Sequence, residues 1–110
     1  MRLTILFFLL PLLQAKTIRV ATYNVALSQR SEGRLAALLR TGTNASAKRV
    51  AEVVQLVKPD VLLLNEFDYD ANGTGATRMN DRFFNISQNG RAAQNFPYRY
   101  VAISNTCLLY

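Results

Sequence analysis

The chain contains no histidine and only one cysteine, Cys107. One cysteine cannot form an internal disulfide, so the fold must hold by packing and hydrogen bonding alone. Without histidine, neither a Ser-His nor a Cys-His nucleophilic pair can be assembled. The same lack removes the Cys and His clusters that hold structural zinc. Acidic residues are also scarce, with 7 Asp+Glu against 13 Lys+Arg and a formal charge of +6. That excess favours an anionic partner such as a phosphate ester, nucleic acid or an anionic surface. The arginines are scattered and form no dense run, so the charge fits simple solubility equally well. The sequence shows no internal repeat and no low-complexity segment.

The first residues read as a targeting segment. Arg2 precedes the apolar run Leu3 to Leu13, and Gln14-Ala15 follow before a more polar stretch. A basic start, a short apolar run and a small residue at the cleavage point make a secretory signal peptide over residues 1–15. The run is short for a bilayer span, which needs about 20 apolar residues. A membrane anchor and a buried N-terminal element are the competing readings. Cleavage leaves residues 16–110 as one exported domain with no further membrane span, expected to be secreted or periplasmic. A domain of this size without disulfides encloses only a modest core.

Two apolar runs end abruptly in oxygen-bearing side chains. The first is Arg19-Val20-Ala21-Thr22-Tyr23-Asn24-Val25, and Ile18 to Val25 is expected to form a strand. The second is Asp60-Val61-Leu62-Leu63-Leu64-Asn65-Glu66. Its unbroken Val-Leu-Leu-Leu core predicts a strand buried on both faces. Between them, residues 47–58 have Val50, Val53, Val54 and Val57 at i, i+3, i+4 and i+7, an apolar helical stripe. Asn44 or Ser46 can cap its start, and Pro59 ends it. Leu35, Leu38 and Leu39 suggest a short helix between Gly33 and Gly42. The order strand, helix, strand predicts a βαβ unit in an α/β protein. Residues 70–81, rich in Asn, Gly, Thr and Asp, are expected to be a loop. Residues 83–88 read as a short helix or strand, and residues 98–103 as a further strand.

Parallel strands of one sheet point their carboxyl ends to a common edge, where ligands of open α/β sheets collect. Asn24 and Glu66 would then project from one rim. If the pleat persists, Asn24 shares a face with Val20 and Thr22, and Glu66 shares one with Leu62 and Leu64. An amide oxygen and a carboxylate suit Mg²⁺, which takes oxygen ligands, keeps several waters and often uses only one or two protein groups. On these residues alone, the pair is equally readable as ordinary polar strand ends. Asp68 and Asp70 stand close enough in sequence to steer a metal-bound water, and Arg78, Arg82, Arg91 and Arg99 to contact phosphate. For both sets, solvated surface charge is the plainer reading. Asn44-Ala45-Ser46, Asn72-Gly73-Thr74 and Asn85-Ile86-Ser87 fit the glycosylation pattern.

Arg19 to Val25 together with Lys58-Pro59-Asp60 to Glu66 resembles the opening of the endonuclease/exonuclease/phosphatase, or DNase I-like, superfamily. There the first strand ends in Asn after Thr and an aromatic, and the second ends in Glu after Pro-Asp-Val and an apolar run. The usual Gln before that Glu is Asn65 here. Ser87-Gln88-Asn89-Gly90 and Phe96-Pro97-Tyr98-Arg99-Tyr100 stand in the order seen in secreted bacterial members, a source in which the glycosylation pattern carries no meaning. The resemblance spans Thr17 to Thr106. It implies the N-terminal portion of a layered α/β sandwich with a mixed sheet, incomplete within residues 16–110. It implies a Mg²⁺-dependent phosphoester hydrolase of phosphodiesterase, nuclease or phosphatase type, with Mn²⁺ and Ca²⁺ as alternative metals. Asn24 and Glu66 would be its metal-site residues, and a phosphate ester or nucleic acid its substrate. The family's later Gly-Asp-x-Asn and Ser-Asp-His motifs are not in this sequence. A truncated gene model or a frameshift is therefore expected, and the polypeptide should not catalyse by itself. The alternative is a non-catalytic exported module that binds anionic ligands through its basic residues.

Overall fold

The computed structural model describes residues 15–103. Apart from Ala15, the expected leader lies outside the described residues, as does Cys107. Among the described residues the chain is a small mixed α/β domain. The elements are β1 (Val20–Asn24), α1 (Arg34–Leu38), α2 (Ala45–Val57), β2 (Val61–Asn65) and α3 (Thr74–Met79). A π-helical turn over Asn80–Phe84 continues directly from α3. β1 and β2 pair in parallel, from Val20 opposite Val61 to Asn24 opposite Asn65. The expected strand, helix, strand unit is therefore present, with two helices in its crossover.

Helix α2 forms where the periodicity predicts, but it buries a different face. The Asn44 Oδ1 accepts the Ala47 N–H at 2.9 Å and caps the helix. Lys58 ends it in a left-handed conformation, φ 53°, with its N–H on the Val54 carbonyl. Ala47, Val50, Ala51, Val54 and Gln55 are buried, whereas Val53 and Val57 are each 40% exposed. The valine stripe expected from the sequence is thus turned toward the alanines. Ala47 and Ala51, both 0% exposed, let neighbouring groups approach the helix closely, as a valine there would not. The inward face is still an i, i+3, i+4, i+7 pattern, carried by small side chains as well as large ones.

Four further expectations are corrected. Strand β2 is covered on one face only: Val61 and Leu63 are exposed, while Leu62 and Leu64 pack against the core. The described helices cover just one side of the two-stranded sheet. Residues 70–81 are not a loop throughout, because Asp70 starts α3. Its Oδ1 accepts the Thr74 N–H at 2.7 Å and its Oδ2 accepts the Gly75 N–H at 2.9 Å. A carboxylate on these otherwise unpaired N–H groups favours the helix start. Residues 98–103 form no strand. Instead, Pro59 to Phe67 and Gln94 to Ala102 both line a cleft of about 930 Å³, and no ladder joins them. Of residues 83–88, only the first two lie in a helical element.

The core joins the inner sheet face to the helices. Val25, Leu27, Leu35, Leu39, Val50, Val54, Met79, Phe83 and Phe84 cluster together, with Tyr23, Leu62 and Leu64 packed against them from the sheet. Gln55 sits inside this cluster with no exposed surface. Its Nε2 donates to the carbonyls of Phe84 at 2.8 Å and Ile86 at 2.7 Å, and its Oε1 accepts the Gln88 N–H at 2.9 Å. One side chain thereby satisfies the backbone that leaves the π-helical turn, where a regular ladder is lost. Glu52, one turn earlier on α2, accepts from Asn89 Nδ2 at 2.8 Å and pairs with Arg91 at 3.4 Å. Asn80 extends the tie by donating to Asn95 Oδ1 and accepting the Phe96 N–H, at 2.9 and 2.8 Å.

These contacts make two predictions for urea unfolding. Gln55→Leu leaves buried carbonyls and an N–H unpaired and should cost about 3 kcal/mol. Val53→Ala, on the exposed flank of the same helix, should cost less than about 1 kcal/mol. Equal losses would contradict the observed orientation of α2.

Candidate functional site

The parallel register carries both strand ends to one rim. Pairing continues past the strands, with the Val25 N–H on the Asn65 carbonyl at 3.0 Å and the Leu27 N–H on the Glu66 carbonyl at 2.9 Å. Asn24 and Glu66, separated by 42 positions in the chain, meet there: Asn24 Nδ2 donates to Glu66 Oε1 at 2.8 Å. Asn24 Oδ1 accepts the Ala26 N–H at 3.1 Å and closes a local turn. Both side chains are exposed.

The backbone at this rim is unusual. Ala26 and Glu66 have φ of 49° and 54°, left-handed values that non-glycine residues rarely adopt. Such a conformation costs an L-residue about 1–2 kcal/mol and tends to persist where function or surrounding contacts demand it. It also breaks the pleat. Glu66 does not follow Leu62 and Leu64 toward the core, as strict alternation would have it. The chain turns over at Glu66, and the carboxylate reaches Asn24 on the exposed side.

Asn65 is the neighbouring polar group on the open face. Its Nδ2 donates to Thr22 Oγ1 at 2.8 Å. Thr22, Asn24, Asn65 and Glu66 thus form a continuous polar edge above the apolar residues Val20, Val61 and Leu63. Neither the Asn65 to Thr22 bond nor the left-handed Ala26 was anticipated from sequence. The first had a weak signal, one further polar residue near the end of each motif, and the second had none.

The other candidates are engaged elsewhere. Asp68 is 3% exposed, and both its oxygens lie on the Gln29 N–H at 2.8 and 2.9 Å. It closes the chain leaving β1 and, among the described residues, makes no hydrogen bond to Asn24 or Glu66. Asp70 starts α3, as described above. The Arg78 guanidinium donates to the Ala36 carbonyl at 2.6 Å, Arg99 to the Phe96 carbonyl at 2.7 Å and Arg91 to Glu52. Arg19, at the head of β1, donates to the Val57 carbonyl at the end of α2. There it complements the negative helix terminus. Arg82 lies exposed on the π-helical turn.

Among the described residues, no three His, Cys, Asp or Glu side chains converge as a ready-made metal cage. The donor chemistry at the rim nevertheless fits a hard cation that keeps most of its water. Glu66 brings an anionic pair of oxygens, of which Oε2 has no protein partner among the described residues. The Asn24 carbonyl oxygen keeps a second lone pair beyond the Ala26 bond. One or two such oxygens are the usual protein share around Mg²⁺.

No family model, curated protein or solved structure matches the chain.

The strained rim predicts a stability gain that works against the site. Ala26→Gly and Glu66→Gly should each raise unfolding free energy by up to about 1 kcal/mol, through relief of the left-handed conformation. Thermal unfolding measures both. A loss of stability in Ala26→Gly would show that its backbone is not held as described.

Proposed function

We propose that this chain carries the metal-holding strands of an exported, Mg²⁺-dependent phosphoester hydrolase built as a DNase I-like layered α/β sandwich. The single observation that supports this most is the Asn24 to Glu66 contact at 2.8 Å, on the common carboxyl rim of two parallel strands. A left-handed Glu66 adds weight, because strain of that kind clusters at working sites. A second support is the bare side of the sheet. Ile18, Val20, Val61 and Leu63 are 61%, 70%, 53% and 60% exposed. In a layered sandwich such a face packs against a second sheet about 10 Å away.

In this reading Glu66 supplies the anionic oxygen that holds the ion. Asn24 fixes the carboxylate through its N–H and offers its carbonyl oxygen alongside. Bound Mg²⁺ would neutralise charge on the phosphate oxygens and the leaving group during in-line attack by water. The cleft of about 930 Å³ that includes Glu66 leaves room for a phosphate ester beside the rim. Asp68 and Asp70 are occupied with backbone N–H groups, and the sequence has no histidine to activate water. The chain therefore holds metal and substrate phosphate but turns over slowly or not at all alone. The alternative of a basic module for anionic ligands draws little support. Arg19, Arg78, Arg91 and Arg99 all donate within the domain.

Calorimetric titration with Mg²⁺ and Mn²⁺ tests the assignment. Glu66→Gln should weaken binding by more than about tenfold, as expected when the one charged ligand is neutralised. Binding that survives Glu66→Gln unchanged would remove the basis of the assignment. Hydrolysis of bis(p-nitrophenyl) phosphate by the same preparation should stay near the blank rate. Robust turnover would refute the view that the chain lacks its water-activating groups.

A further inference from the structure

We propose that Asn65, locked to Thr22, is a positioning residue that sets the Glu66 carboxylate on the rim. The inference rests on the metal-site reading above and extends it to a pair that contributes no ligand.

The argument starts from the backbone. Glu66 holds φ at 54°, a value it would leave if its neighbours allowed. The residue before it must therefore be anchored. Asn65 is anchored twice to the same strand: its carbonyl accepts the Val25 N–H at 3.0 Å, and its side-chain amide donates to Thr22 Oγ1 at 2.8 Å. The two bonds lie at different levels of β1, so they fix the rotation of the last β2 residue as well as its distance. Glu66 then leaves β2 from a fixed starting point, and its carboxylate meets Asn24 Nδ2 at 2.8 Å. Without the side-chain bond, two main-chain bonds are left to oppose relaxation of Glu66 toward negative φ, the Val25 N–H on the Asn65 carbonyl and the Leu27 N–H on the Glu66 carbonyl, and neither fixes the Asn65 side chain. That relaxation carries the carboxylate away from Asn24. Thr22 and Asn65 are both exposed, so their bond contributes little to global stability. Its consequence is local, at the orientation of Glu66.

Thr22→Val keeps a β-branched strand residue and removes the acceptor, Thr22→Ser keeps the hydroxyl, and Asn65→Leu removes the donor. Each is made in the full chain, and two quantities are read. The first is the Mn²⁺ dissociation constant from calorimetry. The second is the Asn24 side-chain NH₂ signal in ¹⁵N-resolved NMR without metal. Thr22→Val and Asn65→Leu should weaken Mn²⁺ binding by about tenfold and shift the Asn24 signal, at an unchanged melting temperature. Thr22→Ser should match the parent in both. Parent-like affinity and an unshifted Asn24 signal in Thr22→Val and Asn65→Leu would overturn the proposal while leaving the metal site standing. If the parent itself binds no Mn²⁺, the metal reading fails separately. The Asn24 signal then decides whether the pair positions Glu66: a shift in Thr22→Val upholds it, and no shift overturns it.

Discussion

The parallel pairing of β1 and β2 is the constraint on which the rest of this domain depends. Five residue pairs in register, with main-chain bonds continuing through Val25 and Leu27, hold two distant segments to a common end. Parallel pairing requires a crossover, and α1 and α2 supply it. The crossover in turn determines which side of the sheet is covered. Arg19 and Asp60 secure the opposite end, where the Arg19 N–H meets Asp60 Oδ2 at 2.8 Å and the Asp60 N–H meets the Arg19 carbonyl at 2.8 Å. A one-residue slip would send Tyr23, Leu62 and Leu64 to the wrong face and separate Asn24 from Glu66.

Much of the remaining order comes from polar side chains that serve the backbone. Gln55 accounts for the irregular exit from the π-helical turn, Asp70 for the start of α3, Asp68 for the loop after β1, and Asn80 for the segment at 95–96. Each converts an unpaired main-chain group into a hydrogen-bonded one, and such pairing stabilises mainly by avoiding the cost of leaving it unmade. This explains how a chain poor in regular structure keeps a defined shape over residues 66–96. It also explains why two of the three acidic candidates for chemistry, Asp68 and Asp70, are structural in practice.

The two faces of the sheet behave differently. The inner face merges with Val54, Phe83 and Phe84 into one core. The outer face presents Val20, Val61 and Leu63 to solvent, directly below the polar edge of Thr22, Asn24, Asn65 and Glu66. An apolar surface continuous with a strained, oxygen-rich rim is the combination expected where two layers meet around a site. The proposal of a second covering layer rests on this bare face together with the polar rim.

Local chemistry made several features legible. Valine and leucine runs bounded by Pro59 and polar residues identified both strands, the spacing in 47–58 identified α2, and the polar strand ends identified Asn24 and Glu66 as a pair. What the sequence by itself determined was therefore the kind and order of the first elements, because these depend on periodicity and on residues that start or stop them. Only the tertiary structure decided which face of α2 turns inward, that β2 is bare on one side, that 98–103 stays unpaired and that Asp70 opens a helix. It alone revealed the left-handed Glu66 and the Asn65 to Thr22 bond. Those outcomes depend on which groups become neighbours across tens of residues, and no local pattern encodes such a distance.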